Sequence, residues 1–241
     1  MGKLAVMQPY FFPYIGYWQL IHAVDRFVIF DDVRYINRGW VNRNRLLING
    51  EPSYFTASLQ QSSQNKRICD TVLQPGDHWR SKLIKTVENT YRKAACFDTV
   101  FPVVKKVIRH ETDNLADYLA NQLQTLATFM NVDTEFVLSS RCYKNDELAG
   151  QDRILDICNR ESADTYINPQ GGLTLYEPDV FQRAGIDLRF LVMRPLPYKQ
   201  RSPGFVPYLS IIDALMEIGP AEIRHHLDAY ELLKGEQATA S

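Results

Sequence analysis

Asp31 and Asp32 close the short apolar run Arg26–Phe30. A run of that kind reads as a strand buried on both faces, and ligands of open α/β sheets bind just outside the carboxyl ends of such strands. A carboxylate there can act as a general base, a metal ligand or an acceptor for a substrate hydroxyl. Neighbouring side chains on an extended chain point to opposite faces, so the pattern predicts that one of the two carboxylates enters a site. The other would be neutralised by Arg34 or Arg38. No His or Cys falls at ligand spacing nearby, so no metal is expected.

The preceding strand, Leu4–Met7, runs into a turn containing Gln8, Tyr10, Phe11, Phe12, Pro13, Tyr14, Gly16 and Tyr17. Tyr14-Ile15-Gly16-Tyr17 opens a helix expected over Tyr14–Val24, with Pro13 in its first turn. Gly16 removes a side chain where a ligand or strand could approach, and a helix N-terminus favours phosphate or carboxylate. The spacing resembles the HxGH turn of nucleotidyl-transfer folds, with tyrosines at both histidine positions. A tyrosine donates one hydrogen bond to a phosphate but is neutral at pH 7. The plain alternative is an aromatic cluster that seals the end of the sheet.

After the acid pair come Arg38, Trp40, Asn42, Arg43 and Asn44. Guanidinium groups and amides beside an indole suit a phosphate, a carboxylate or a sugar, and equally RNA phosphates with base stacking; a solvated strand edge would look the same. Asn168-Pro169-Gln170-Gly171-Gly172 follows another strand and could bring backbone N–H groups to an anion, or be a plain loop. Tyr198 and Gln200, with Ser210 and Asp213, follow the last expected strand. Asp213 lies in an otherwise apolar helix, where a carboxylate is either paired or functional. His22, His225 and His226 read as surface residues. Cys142, beyond a strand end, is the one thiol worth testing as a nucleophile. No Ser-His-Asp, Walker, GxGxxG or zinc pattern is present.

The elements that must position these groups alternate. Strands are expected at Leu4–Met7, Arg26–Phe30, Thr134–Leu138, Thr165–Ile167 and Asp187–Val192. Helices fill the intervals and continue over Ile211–Glu217 and from Pro220 through Leu233. That order predicts an α/β fold: a mostly parallel, Rossmann-like sheet with helices on both faces. Asn49-Gly50 inside an alternating stretch predicts a hairpin, and three helices follow between 81 and 130. Residues 61–80 read as a surface loop. Residues 1–234 then form one α/β domain with an insertion at about 45–130, and 235–241 a flexible tail. The 241 residues are 45% hydrophobic and 23% charged, with a formal net charge of −1. Such a chain can bury a core without disulfides and has no general attraction to nucleic acid or anionic membrane. Four unpaired-looking cysteines and the lack of a long apolar segment suggest a cytoplasmic protein with reduced thiols.

The strings QPYFFPYIGYWQLI, DRFVIFDDVRYINRGWVNRNR, DTYINPQGG and FVPYLSIIDALMEIGP closely resemble the WbqC-like protein family, over residues 4 to about 220. Members of that family occur in bacterial gene clusters for O-antigen and other surface polysaccharides, and one suggested role is transfer of glycine to a sugar. The resemblance implies a transferase of sugar modification with a nucleotide-linked or lipid-linked sugar as partner and an aminoacyl donor. RNA would enter only as aminoacyl-tRNA. It assigns no cofactor and no catalytic chemistry. In this reading Asp31 or Asp32 is the catalytic carboxylate, and the helix start at Gly16 with Arg38 and Arg43 holds phosphate or carboxylate. Two other readings stay open: an ATP-dependent ligase or nucleotidyltransferase, and a non-catalytic RNA- or ligand-binding accessory protein.

Overall fold

The computed structural model describes residues 2–61, 65–194 and 196–234; the expected tail at 235–241 lies outside them. The chain opens with strand β1 (Lys3–Met7), helix α1 (Ile15–His22) and strand β2 (Arg26–Ile29). A hairpin of β3 (Arg43–Ile48) and β4 (Glu51–Thr56) follows, then the short pair β5 (Leu59–Gln60) and β6 (Val72–Leu73). Helices α2 (His78–Tyr91), α3 (Phe97–Ile108) and α4 (Leu115–Phe129) lead to β7 (Glu135–Val137). The rest is α5 (Gly150–Arg160), β8 (Thr165–Pro169), α6 (Pro178–Arg183), β9 (Asp187–Met193), α7 (Ile211–Leu227) and β10 (Tyr230–Leu233).

Six strands form one sheet in the order β10-β9-β8-β1-β2-β7. All neighbours are parallel except β10, which runs against β9. Alternation along the central strands sorts their side chains into two layers. Ala5, Phe27, Ile29, Ile167 and Leu191 pack with α1, α4 and α7. Leu4, Val6, Val28, Tyr166 and Phe190 pack with α5 and α6. The chain moves outward from β1 to β2 and β7, then returns to β8 and β9 on the other side, so the strand order reverses between β1 and β8. In open sheets the crevice above such a reversal takes the ligand.

The hairpin turns at Asn49 and Gly50, both with positive φ (53° and 82°), which matches the twist of its strands. Four expectations change. Residues 65–73 are not a surface loop: the segment pairs its backbone with 31–35 and buries Ile68, Cys69, Thr71 and Leu73. The strand before Leu138 is an edge strand rather than a buried one, with Glu135 exposed. Helix α1 begins at Ile15, leaving Pro13 outside it. The last helical path kinks at Gly219 and ends at Leu227, and residues 230–233 extend the sheet. Tyr230-Glu231-Leu232-Leu233 carries no strong helical pattern, and an open sheet edge at β9 offers it a full ladder.

The aromatic turn between β1 and α1 is buried, so its backbone groups must be bonded internally. Phe11 and Phe12 are fully enclosed, and Phe12 sits at φ 42°. From α4, Gln122 accepts from the Phe12 N–H and donates to the Tyr10 carbonyl, both at 3.0 Å. From β3, Asn44 donates to the Phe11 and Phe12 carbonyls. Ser210, which also caps α7, donates to the Phe12 carbonyl. The Tyr17 hydroxyl donates to the Gln8 carbonyl, and the Phe11 N–H reaches the Trp40 carbonyl.

Gln122→Ala orphans the Phe12 N–H and the Tyr10 carbonyl together and should cost about 2–4 kcal/mol in urea unfolding. The Gln8 side chain has no hydrogen-bonding partner among the described residues, and Gln8→Ala should change stability by no more than about 0.5 kcal/mol. A loss under about 1 kcal/mol for Gln122→Ala would contradict this account of the turn.

Candidate functional site

Beyond Ile29 the chain leaves the sheet: the Asp31 N–H bonds back to the Ile29 carbonyl. The alternation rule therefore stops applying, and Asp31 and Asp32 do not diverge as the sequence pattern predicts. Both are buried and meet at Ser140. Parallel pairing of β2 with β7 brings Ser139, Ser140 and Arg141 beside them. The Ser139 hydroxyl donates to both Asp31 oxygens, at 2.8 and 2.9 Å, and the Ser140 N–H adds a bond of 3.1 Å. Arg141, half exposed, places its Nε 2.8 Å from Ser139 Oγ and 3.3 Å from Asp31 Oδ2. Asp32 accepts from the Ser140 hydroxyl at 2.5 Å and from Arg153 Nη2 at 2.6 Å. Arg153 is oriented by Asn145 at 3.0 Å and lies over the Phe30 ring.

The neutralising partners are thus Arg141 and Arg153, and neither Arg34 nor Arg38. The two acids are also unlike each other. Asp32 is locked against a buried guanidinium. Asp31 has its carboxyl raised above the usual carboxylate range, chiefly by burial and with help from Asp32, against the pull of Ser139, Arg141 and Ser140. A buried acid with raised proton affinity beside a fixed ion pair is the kind of arrangement that holds or moves a proton.

The tyrosine turn behaves differently from its expected phosphate cradle. A Cβ on Gly16 would lie 2.4 Å from the Tyr14 ring, so the glycine makes room for that ring and not for a ligand. Tyr17 is buried and spent on the Gln8 carbonyl. Tyr10 is half-buried against Tyr17, while Gln8 stands half-exposed beyond β1. Asn42 is buried, accepting from the Tyr35 hydroxyl and donating to the Ala57 carbonyl; Asn44 braces the turn. Both amides are committed to the fold. Arg38 and Trp40 are exposed, and Arg43 folds back on the Gly39 and Arg38 carbonyls.

Across the reversal point, Asn168 donates to the hydroxyls of Tyr166 and Tyr176, at 3.0 and 3.2 Å. A Cβ on Gly172 would meet Asn168 Oδ1 at 2.0 Å. That glycine is required by Asn168, while Gly171 is exposed with open space around it.

Tyr198, Gln200 and Asp213 do meet. The buried Asp213 carboxylate accepts from the hydroxyls of Tyr198 (2.7 Å) and Tyr91 (2.9 Å) and from Gln200 Nε2 (3.1 Å). Burial, the largest influence, raises its carboxyl above the usual range despite these donors. Gln200 also clasps both backbone groups of Val206. The network pins a loop that covers a cleft between the start of α1 and the end of β9, lined by Tyr14, Gln19, Arg194, Tyr198, Phe205 and Tyr208 among others. Gln19 is buried there. Its amide N–H groups donate to the His226 and Ala229 carbonyls, and its Oε1 finds no donor among the described residues. His226, expected at the surface, is buried, and desolvation lowers its pKa. Burial raises the Cys142 thiol, which disfavours the nucleophilic thiolate.

The acid-pair partners Ser139, Ser140, Asn145, Arg141 and Arg153 were not picked out as site residues from the sequence. Arg153 did leave a signal: it sits four residues before Ile157 on the apolar face of α5, where a charge needs a partner.

A model of the WbqC-like protein family matches residues 8–225 of the chain. An uncharacterized protein of Mycobacterium tuberculosis (strain ATCC 25618 / H37Rv) is 26% identical over 224 residues, with 91% of this chain and 95% of that protein covered. No solved structure matches.

Asp31 and Asp213 bind protons more tightly in the folded chain than in the unfolded one, where an aspartate titrates at about 3.9. The stability each contributes is complete below that value and is lost as pH rises through the folded pKa. Asp31→Asn and Asp213→Asn should each flatten the decline of unfolding free energy above about pH 4, measured by urea titration at stepped pH. Slopes identical to wild type in both variants would contradict the raised proton affinities.

Proposed function

The chain belongs to the WbqC-like protein family, and on that premise we propose that it is a transferase of sugar modification. It passes a glycyl or other aminoacyl group to an amine or hydroxyl of a nucleotide-linked or lipid-linked sugar, in the making of bacterial surface polysaccharide. The observation that carries the reading is the acid pair at the carboxyl edge of the sheet, with Asp31 reached from outside through the Ser139 hydroxyl.

Acyl transfer needs a group that takes the proton from the attacking amine or hydroxyl as the new acyl bond forms, and that returns it to the donor's leaving oxygen, the ribose hydroxyl of a tRNA or the phosphate of an adenylate, as the old acyl–oxygen bond breaks. Asp31 is that group here, receiving the proton by way of Ser139 Oγ, and its raised proton affinity makes it a stronger base than an ordinary aspartate. Arg141, half exposed above Ser139, holds the anionic part of a substrate, a carboxylate or phosphate. Asp32 and Arg153 hold Ser140 and hence the geometry of the pair. The sequence pattern assigns the anion-holding role to the helix start at Gly16 with Arg38 and Arg43; the Tyr14 ring occupies the first and Arg43 folds back on carbonyls, so Arg141 takes that role beside the acid pair. The contact of Tyr14 with Gly16 also weakens the nucleotidyltransferase alternative, since it rests on the same turn.

The test is a transfer assay with labelled glycine, supplied as glycyl-tRNA or as glycine with ATP, against a panel of amino-sugar nucleotides and lipid-linked sugars. Asp31→Asn should lower kcat by about 10²–10⁴-fold and leave KM within about threefold. Ser139→Ala should follow it. Equal losses in kcat and affinity would remove the base assignment, and no turnover by wild type with any pair would remove the transferase reading.

A further inference from the structure

Part of the outer face of the β3–β4 hairpin stays open, between Leu47, which is buried, and the open end of the hairpin. Asn44, Leu46 and Phe55 point inward, and Arg43, Arg45, Tyr54 and Thr56 point out. The Arg43 guanidinium lies 4.3 Å from the Tyr54 ring centroid, and Trp40 stands 6.3 Å from that ring. The Arg45 guanidinium lies 5.7 Å from the Trp40 ring and donates to the Tyr208 carbonyl at 3.2 Å. The Tyr208 ring in turn meets Tyr14 at 5.7 Å, at the N-terminal turn of α1. Rings and guanidinium groups therefore alternate in one strip from Tyr14 to the open end of the hairpin, where Arg43 pairs with Thr56.

Two features separate this strip from ordinary surface. Trp40, Tyr54 and Tyr208 are all exposed, at 37%, 54% and 55%, whereas large aromatic side chains are usually well buried. The positive charge of the strip is also uncompensated. Arg43 and Arg45 reach only carbonyls and rings, and no carboxylate pairs with either of them or with Arg38 among the described residues. In a chain of net charge −1 that is a local choice of sign, and it selects an occupant with negative charge.

We propose that this strip is the docking site for an anionic glycan, the phosphate- or carboxylate-bearing saccharide chain of the acceptor; the choice of a saccharide rests on the function proposed above. The negative faces of the rings take the C–H faces of sugar rings. The arginines between them take the charges by paired N–H donation. The strip starts at Tyr14, on the same carboxyl edge of the sheet that carries the acid pair at the ends of β2 and β7. A single-stranded nucleic acid would use the same kind of surface, and a second copy of the chain would cover its apolar part; both are outcomes of the test.

Trp40 anchors the fold through its carbonyl rather than its ring, so Trp40→Ala keeps that bond. Thermal unfolding should confirm that Trp40→Ala and Arg45→Gln remain folded. The full chain is then read on an array of bacterial surface glycans, acidic and neutral, with oligo-uridine RNA as a competitor. Wild type should bind acidic glycans in preference to neutral ones, and each substitution should weaken binding by about tenfold or more. Asp31→Asn, which removes the proposed base, should bind as wild type does. No glycan bound, binding unchanged by Trp40→Ala, tighter binding of RNA than of any glycan, or self-association abolished by Trp40→Ala would each overturn the proposal. Transfer without glycan binding sinks the strip alone. Glycan binding without transfer by wild type leaves the strip standing and sinks the enzyme reading.

Discussion

A buried turn with a full set of backbone polar groups governs this structure. Residues 10–13 carry two enclosed phenylalanines, so the turn cannot face water, and every N–H and carbonyl it buries would cost free energy if unpaired. The partners come from widely separated segments: Gln122 from α4, Asn44 from β3 and Ser210 from the cap of α7. Each of these side chains is buried. The turn thereby fixes where the hairpin, the three-helix segment and the C-terminal helix sit on the sheet. It also fixes Tyr14, whose ring closes over Gly16, and Trp40, whose carbonyl is held by the Phe11 N–H.

Once the turn is set, the chemistry gathers at the carboxyl edge. β2 ends at Ile29 and β7 at Val137, with Val137 opposite Val28, so the chains beyond them bring Asp31 and Asp32 to Ser139 and Ser140. Helix α5 then delivers Arg153 from the opposite layer. The two acids are adjacent in sequence but differ in environment: one is held by a guanidinium, the other by hydroxyl and amide donors in a buried place. Such divergence between neighbouring titratable groups is a recurring means of assigning acid and base roles. The second acid network, at Asp213, does a different job. It ties the 198–206 loop over the cleft beside α1, and all its donors come from within the chain.

Much of the fold could be read in the sequence because local signals and tertiary structure agree. The apolar runs at Leu4–Met7 and Arg26–Phe30, the Asn49-Gly50 turn and the three helices between 81 and 130 appear close to where they are expected. The site was legible in part. Asp31, Asp32 and Asp213 stood out as charges beside or within apolar segments. Tyr198 and Gln200 stood out with Asp213, but the partners of the acid pair could not be matched to it, because Arg141 and Arg153 lie more than a hundred positions away and only tertiary structure brings them close. The period-two rule misplaced the acid pair because the backbone turns at Ile29 before the rule is used up. Gly16 and Gly172 looked like room for a ligand and proved to be room for Tyr14 and Asn168. A sequence shows that a side chain is missing, but not which neighbour fills the space. Residues 230–233 became a strand through pairing with β9, which no local pattern announces.

The central claim is that the ligand sits on the carboxyl edge of the parallel sheet, over the acid pair. Hydrogen–deuterium exchange reads it most directly, comparing the chain alone with the chain in saturating nucleotide-sugar, amino acid or aminoacyl-tRNA. The account predicts that a ligand which slows exchange does so at residues 7–14, 30–34 and 139–141 together, the segments that meet at that edge. Protection confined to the amino edge, around residues 2–4, 24–26 and 161–163, would contradict it.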